Sequence, residues 1–358
     1  MPGEAFSYVL PLRTNAHDGP AMAELTGYLR ELSRWCPDVI VVDGSPESAF
    51  AAHAQHWRVA ARHVAPDPAH AALNGKVQGV LTGLDLARHD RVVIADDDVR
   101  YEHRGLERAV ALLDDHALVQ PQNYFSPLPW HAAWDTARTL LNRATIGADF
   151  PGTFAVRRAA LLATRGYDGD VIFENLELIR TVRAAGEPVA SPLDLYVRRL
   201  PPTARHFAGQ RIRQAYDEFA LPARMALWLA TAPALVSCLV RRRPAPVLFA
   251  ASAVIVVAER GRRRAGGASV FPAGVSVLAP LWVLERAVCA WLALLERLRF
   301  GGVRYGQSVI PAAANSEATI RRRLHDAAQA NVTSSSSSGT AGSSGGGCPG
   351  TGRTASTW

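Results

Sequence analysis

Residues 1 to about 200 alternate short apolar runs with stretches of helical spacing. YVLPL (8–12), VIVVDG (39–44) and RVVIADDD (91–98) are apolar runs closed by turn or acidic residues, the pattern of strands buried on both faces of a sheet. Between them, AMAELTGYLRELSRW and GKVQGVLTGLDLARH repeat apolar positions three and four apart. Strand, helix, strand at this rhythm predicts a parallel sheet covered by helices, and in such sheets ligands gather at the carboxyl ends of the strands.

The pattern changes at Leu221. LPARMALWLATAPALVSCLV, PAPVLFAASAVIVVA and ASVFPAGVSVLAPLWVL follow one another, each close to the roughly 20 residues that a membrane span needs, the second being short for it. Arginine triplets at 241–243 and 262–264 flank the second run. A buried helical domain is the competing reading of these runs. Both triplets cannot be cytoplasmic if the short run between them spans, so either the first two runs form a re-entrant hairpin or one triplet faces outward. A fourth stretch, ERAVCAWLALLERLRF (285–300), is amphipathic and is expected to lie in the interface or to return through the bilayer. The tail from Asn331 is Ser/Gly low complexity and is expected to be disordered. The chain therefore divides into a cytosolic α/β domain (1–220), membrane helices (221–300), a juxtamembrane segment (301–330) and a tail (331–358).

Charge adds a location to this picture. Thirty-nine basic residues against 32 acidic ones leave a net charge of +7. The basic clusters flank apolar runs instead of lining one polar face, which favours a membrane surface over nucleic acid. The N-terminus shows no basic leader before an apolar region, and the four cysteines are scattered, so the α/β domain is expected to stay reduced in the cytosol.

The candidate chemistry lies at the strand ends. Asp96, Asp97 and Asp98 close one apolar strand, where three carboxylates repel unless a cation or hydrogen-bond donors compensate; magnesium or manganese suits such hard oxygen ligands, and a simple turn cluster is the alternative. Asp43 ends another strand of the same sheet, placed either to accept from a base or ribose or merely to turn the chain. Lys76 is the only lysine; the other 38 basic side chains are arginine. A compact ammonium differs from a planar guanidinium fork, and Lys76 follows Asn74-Gly75 at a predicted helix start, where backbone N–H groups already attract anions. His53, His56, His63 and His70 are close in sequence but lack metal-ligand spacing and are expected to be solvated. Trp130 and Trp134, one helical turn apart, are placed to stack on sugar, to touch lipid or to pack in the core. Glu285 and Arg286, in apolar surroundings, are expected to pair with one another at the bilayer edge, a lipid site being the alternative.

The order PLRTN (11–15), VVDGSP (41–46), GK (75–76), DDD (96–98), FPGTFAVRR (150–158), GYDGDVIFENLEL (166–178) and GQRIRQAY (209–216) resembles the family 2 glycosyltransferases of the A-type fold. The likeness is greatest to their membrane-bound, ceramide glucosyltransferase-like branch. It implies a Rossmann-like A-type glycosyltransferase domain with a mainly parallel sheet, followed by C-terminal transmembrane or interfacial helices. It implies an enzyme of the cell membrane, multi-pass, with its catalytic domain facing the cytoplasm, which moves a hexose with inversion from a UDP-sugar to a lipid or lipid-linked hydroxyl. Mg2+ or Mn2+ is the implied cofactor. By the same resemblance, Pro11, Arg13, Asp43, Lys76, Asp96, Asp97, Gln210, Arg211 and Arg213 hold the nucleotide sugar. Asp98 and Asp96 hold the metal, and Gly152 and Thr153, with Trp130, lie on the acceptor side. The family's general base is the aspartate of a Glu-Asp pair, but this chain has Glu174-Asn175, so Glu174 is the expected base and Glu177 the substitute. Gln214 stands where the family has tryptophan, which favours single-sugar transfer over a processive polysaccharide synthase. A non-catalytic scaffold is the other alternative.

Overall fold

The structure, a computed structural model, describes residues 5–16, 18–306 and 308–338. Its strands are β1 (Ser7–Leu12), β2 (Asp38–Asp43), β3 (Arg62–Val64), β4 (Arg91–Ala95), β5 (Val99–Arg100), β6 (Leu118–Val119), β7 (Gln122–Phe125), β8 (Thr153–Arg157), β9 (Val189–Ala190), β10 (Tyr196–Arg199), β11 (Val303–Tyr305) and β12 (Ser308–Ile310). The α/β half holds helices α1 (Pro20–Leu32), α2 (Glu47–Trp57), α3 (Gly75–Leu86), α4 (His103–Ala111), α5 (Trp130–Thr145), α6 (Arg158–Ala163), α7 (Glu174–Ala184), α8 (Ala204–Gly209) and α9 (Arg211–Tyr216). After them come α10 (Pro222–Val240), α11 (Pro244–Arg263), α12 (Ala279–Phe300) and α13 (Glu317–Ser338).

The main sheet has seven strands in the order β3-β2-β1-β4-β8-β6-β9. β3, β2, β1 and β4 run parallel, while β8 is antiparallel to both β4 and β6. The expected mainly parallel sheet is therefore present. Its central strands are apolar throughout because both faces are covered. Tyr8, Leu10, Val39 and Val41 pack with α1 and α4 on one face, and Val9, Ile40, Val42 and Ile94 pack with α3 and α7 on the other. β5, β10 and β7 form a second, three-stranded sheet that brings Arg199 beside the acidic turn after β4.

Three helical segments, Pro222–Val240, Pro244–Ser269 and Ala273–Phe300, are long and apolar enough to cross a membrane. They leave Leu227, Val236, Leu239, Leu248, Phe249 and Val256 exposed. One expectation is corrected here. The third apolar run and the amphipathic stretch at 285–300 are not separate elements, because α12 continues through Glu285 to Phe300. The apolar helices also pack directly on the α/β half. A Cβ at Gly261 of α11 would overlap the carbonyl oxygen of Leu140 in α5 and lie 2.9 Å from its carbonyl carbon, so only glycine allows this approach.

The C-terminal region is likewise docked. Asn315 donates from its backbone N–H and its Nδ2 to Glu177 of α7 at 2.7 and 2.9 Å, and Arg323 of α13 pairs with Asp168 at 2.9 Å. The tail expected to be disordered from Asn331 continues α13 as far as Ser338, since each added helical residue adds a hydrogen bond to an existing nucleus. Residues 339–358, with Cys348, lie outside the described residues.

Candidate active site

Register places the ends of β1, β2 and β4 on one edge of the sheet. Leu12 lies opposite Asp43, and Val9 opposite Ile94, so Asp43 and the acidic turn share that edge with β1 between them. Two strand spacings of about 4.8 Å set their backbones roughly 10 Å apart.

Asp96 is the hub of the charged network. The Lys76 ammonium lies 2.6 Å from Asp96 Oδ1 and donates to Glu174 Oε1 at 2.9 Å. Lys76 lies in the first turn of α3, where the Asn74 side chain accepts from the Lys76 backbone N–H and fixes the turn. Arg199 joins the other side, donating to Asp98 Oδ2 at 2.8 Å and lying 3.6 Å from Asp96 Oδ2. Burial works against both cations, but Asp96 and Glu174 hold Lys76 well above its usual range, and Asp98 and Asp96 do the same for Arg199. Burial pushes the Asp98 carboxyl up, with Arg199 opposing. Asp98 Oδ1 has no hydrogen-bond partner among the described residues. An unengaged carboxylate oxygen beside a second carboxylate fits a hard divalent cation, so Asp96 and Asp98 are the residues suited to hold Mg2+ or Mn2+. Asp97 is exposed.

The space for this network comes from Gly152. It precedes β8, its carbonyl accepts from the Asp96 N–H at 2.8 Å, and a Cβ there would overlap the Asp96 carboxylate. Thr153 instead points into the core, donating to the Ile94 carbonyl at 2.7 Å and meeting the Tyr101 hydroxyl. Its expected acceptor contact is replaced by strand packing.

Beside the network opens a cleft with a cavity of about 150 Å3. Phe150, Ile172, Phe173 and Leu221 form its apolar wall, while Asp96, Glu174, Asp217 and Glu218 face Arg138, Arg199, Arg213, Arg224 and Arg286. Gln210, Gln214 and Asn175 also line it. Of the residues expected around α9, Arg213 and Gln210, which precedes the helix, line the cleft. Arg211 is not free for a diphosphate: both its Nε and Nη2 donate to Glu285 at 2.9 Å, and Nη1 donates to Asp135 at 3.1 Å. This pairing also replaces the expected Glu285–Arg286 pair, and Trp134 donates to the same Glu285 at 2.7 Å. An apolar helix carries an unpaired carboxylate poorly, and the buried Arg211 supplies its counter-charge.

The expected bases also separate. Glu177 is 1% exposed and engaged by Asn315, so it has no opening to the cleft. Glu174 lines the cleft but is tied to Lys76. Asp217 lies in DEF (217–219), which carries no motif in the sequence. Its carboxylate lines the cleft, forms no ion pair among the described residues, and burial pushes it up to about 7.

Asp43 belongs to another cluster. Its Oδ2 meets His53 Nδ1 at 2.7 Å and His63 Nε2 at 2.9 Å, and its Oδ1 accepts from the Ser45 N–H at 2.9 Å. Burial opposes ionisation here, yet the bonds from His63, Ser45 and His53 hold the carboxyl well below its usual range. These contacts correct two expectations: the Asp43 carboxylate is 1% exposed and committed within the protein, and His53 and His63 are its partners, not solvated side chains. The three offer ligand atoms close enough together for a metal ion. Their separation by ten and twenty residues hid them from any local motif. Of the remaining expected residues, Pro11 is buried in β1 opposite Val42, Arg13 is exposed, and Trp130 is 67% exposed beside Phe207. None of them lines the cleft.

Comparison with known proteins gives a family match over part of the chain. The sequence model described as Glycosyl transferase family 21 matches residues 48–159. No curated protein matches the chain. Among solved structures, the chain is similar to the mannosyltransferase PcManGT from Pyrobaculum calidifontis, in complex with GDP-Man and Mn2+, at 19% identity over 81% of this chain and 88% of that one, with a TM-score of 0.48. It is also similar to glucosyl-3-phosphoglycerate synthase from Mycobacterium tuberculosis, with Mn2+ and UDP-glucose, at 20% identity over 60% and 77% of the two chains, with a TM-score of 0.41.

Proposed function

We propose that the chain, whose residues 48–159 match the Glycosyl transferase family 21 model, is a glycosyltransferase that transfers one hexose, with inversion, from a UDP-sugar to a lipid or lipid-linked acceptor at the cytoplasmic face of the cell membrane. The observation that carries this reading is the convergence of the lone lysine with Asp96, Glu174, Arg199 and Asp98 at one strand tip, beside an arginine-lined cleft. Such a cluster suits a diphosphate, whose leaving oxygen gathers charge as the sugar departs. Magnesium or manganese held by Asp96 and Asp98 supplies further neutralisation of that charge when bound. Lys76, as a point charge, and Arg213, as a fork, support the diphosphate from the protein side.

The acceptor oxygen attacks the anomeric carbon opposite the departing phosphate, which forms one C–O bond, breaks another and inverts the centre. The bonding pair leaves with the diphosphate oxygen, and the acceptor proton needs a base. Asp217 suits that role better than Glu174, because Glu174 is engaged by Lys76 at 2.9 Å while Asp217 forms no ion pair among the described residues and burial pushes its carboxyl up to about 7. The apolar cleft wall and the exposed apolar faces of α10 and α11 support a lipid acceptor. The test is incubation of the full chain in membranes with labelled nucleotide sugars, followed by lipid extraction and mass measurement. One added hexose with nucleoside diphosphate released, abolished by Asp98→Ala, is expected; a ladder of products indicates a processive synthase, and no release from any nucleotide sugar overturns the reading.

A further inference from the structure

Arg286 stands out among the charged residues of the cleft. It sits in α12, within a segment long and apolar enough to span a membrane, yet it lines the cleft. It is 1% exposed, and its Nε and Nη1 have no hydrogen-bond partner among the described residues. Its guanidinium lies over the Trp282 ring at 5.0 Å, which orients it without neutralising it. Arg211, its neighbour in space, shows what a satisfied arginine looks like here, with Asp135, Glu285 and Gln214 on its nitrogens.

No acid lies within ion-pair distance of Arg286 among the described residues, although Glu218, Asp135 and Asp217 act on it from farther off and Glu218 Oε2 has no hydrogen-bond partner. Glu285 is taken by Arg211, and Glu218 is paired with Arg224 at 3.0 Å. Arg138, facing from α5, reaches Asp135 and Asp149 only at 3.4 and 3.5 Å, and its Nε is also unpartnered. Five guanidinium groups against four carboxylates leave the cleft lining positive. A buried guanidinium with unmet donors is costly unless an anion meets it, and in apolar surroundings such a residue marks a ligand path.

We propose that Arg286, with Arg138, binds a phosphate group carried by the lipid acceptor, so that the acceptor is an anionic, phosphorylated lipid and not a neutral one. This rests on the glycosyl-transfer reading above and adds the acceptor's charge to it. The donor diphosphate is the other source of the same oxyanion chemistry. Two features favour the lipid: Arg286 is borne by an apolar helix, and the Lys76–Asp96–Asp98–Arg199 network already serves the donor side.

The test uses the detergent-purified full chain and three probes: short-chain phosphatidic acid, the uncharged diacylglycerol of the same chain length, and UDP with magnesium. Wild type is expected to bind phosphatidic acid at least about tenfold more tightly than diacylglycerol, as hydrogen bonds to a charged group imply. Arg286→Gln removes that preference, Arg286→Lys restores part of it, and UDP affinity stays unchanged in both. Equal binding of the two lipids by wild type overturns the proposal, and that measurement stands even if a variant fails to fold. Loss of UDP affinity in Arg286→Gln, with lipid preference intact, assigns the residue to the donor and also overturns it. Absence of UDP binding by wild type would instead refute the donor reading, which separates the two failures.

Discussion

Replacing Gly152 with alanine tests the site with the least disturbance elsewhere. The new Cβ would overlap Asp96 Oδ2 and lie 3.0 Å from Asp96 Cγ and 3.3 Å from Arg199 Cζ. Ordinary carbon contacts begin at about 3.5 Å. The carboxylate carbon must therefore retreat by at least about 0.5 Å, and its oxygen by on the order of 1 Å, which disturbs a carboxylate whose other oxygen holds Lys76 at 2.6 Å. The clashing atoms are side-chain ends, and the Gly152 backbone lies outside the left-handed region, so the fold absorbs the change for about 1 kcal/mol or less. A displacement of about 1 Å at a reacting site lowers turnover roughly 100-fold, or about 2.7 kcal/mol of barrier. Nucleoside diphosphate release from a labelled UDP-sugar measures kcat and KM, and thermal unfolding measures the fold. Unchanged kcat/KM, or a loss of activity that merely follows a collapse in Tm, would refute the reasoning.

The same geometry sets outcomes for Asp217, Lys76 and Asp43. Asp217 must lose its proton to act, so activity should rise with pH through about 7, and Asp217→Asn should remove that limb and lower turnover about 100-fold or more while leaving UDP affinity intact. Because its folded-state pKa is raised, the native state keeps a proton that the unfolded chain has released, so stability falls as pH rises from about 4 to about 7; Asp217→Asn should therefore raise Tm at pH 8, by at most about 4 kcal/mol of stability. Lys76→Arg keeps the charge but cannot serve Asp96 and Glu174 as a compact ammonium does, and about tenfold weaker UDP binding is expected by titration calorimetry, equal affinity counting against a special role. Asp43→Asn should lower stability by about 3 kcal/mol in denaturant titration and leave UDP affinity unchanged, since its bonds are internal. The depressed pKa of Asp43 keeps its contribution intact above about pH 4 and loses it only as the medium becomes more acid; unfolding measured from pH 7 down to 3 checks this sign.

The amino-acid sequence alone determined the layers of this protein. Runs such as VIVVD and RVVIA have only one stable disposition, as parallel strands buried on both faces, and the acidic residues that end them must then meet at one sheet edge. The lone lysine at a helix start was equally legible, and it does meet Asp96. The apolar half was visible as well, because its composition leaves few polar positions. What the sequence left open was the pairing of charges, since a partner in space is set by how elements pack and not by spacing along the chain. Asp43 turned to His53 and His63 across 10 and 20 residues, and Arg211 to Glu285 across 74. Glu177 was captured by Asn315 across 138. Those captures removed three expected ligand-facing groups, and the same packing brought Asp217, which belongs to no local pattern, and Arg286, parted from its expected partner Glu285, to the wall of one cleft. Local order follows from hydrophobic periodicity, which each segment carries within itself, whereas the choice of ion partner depends on desolvation and reach, which exist only once distant helices are in contact.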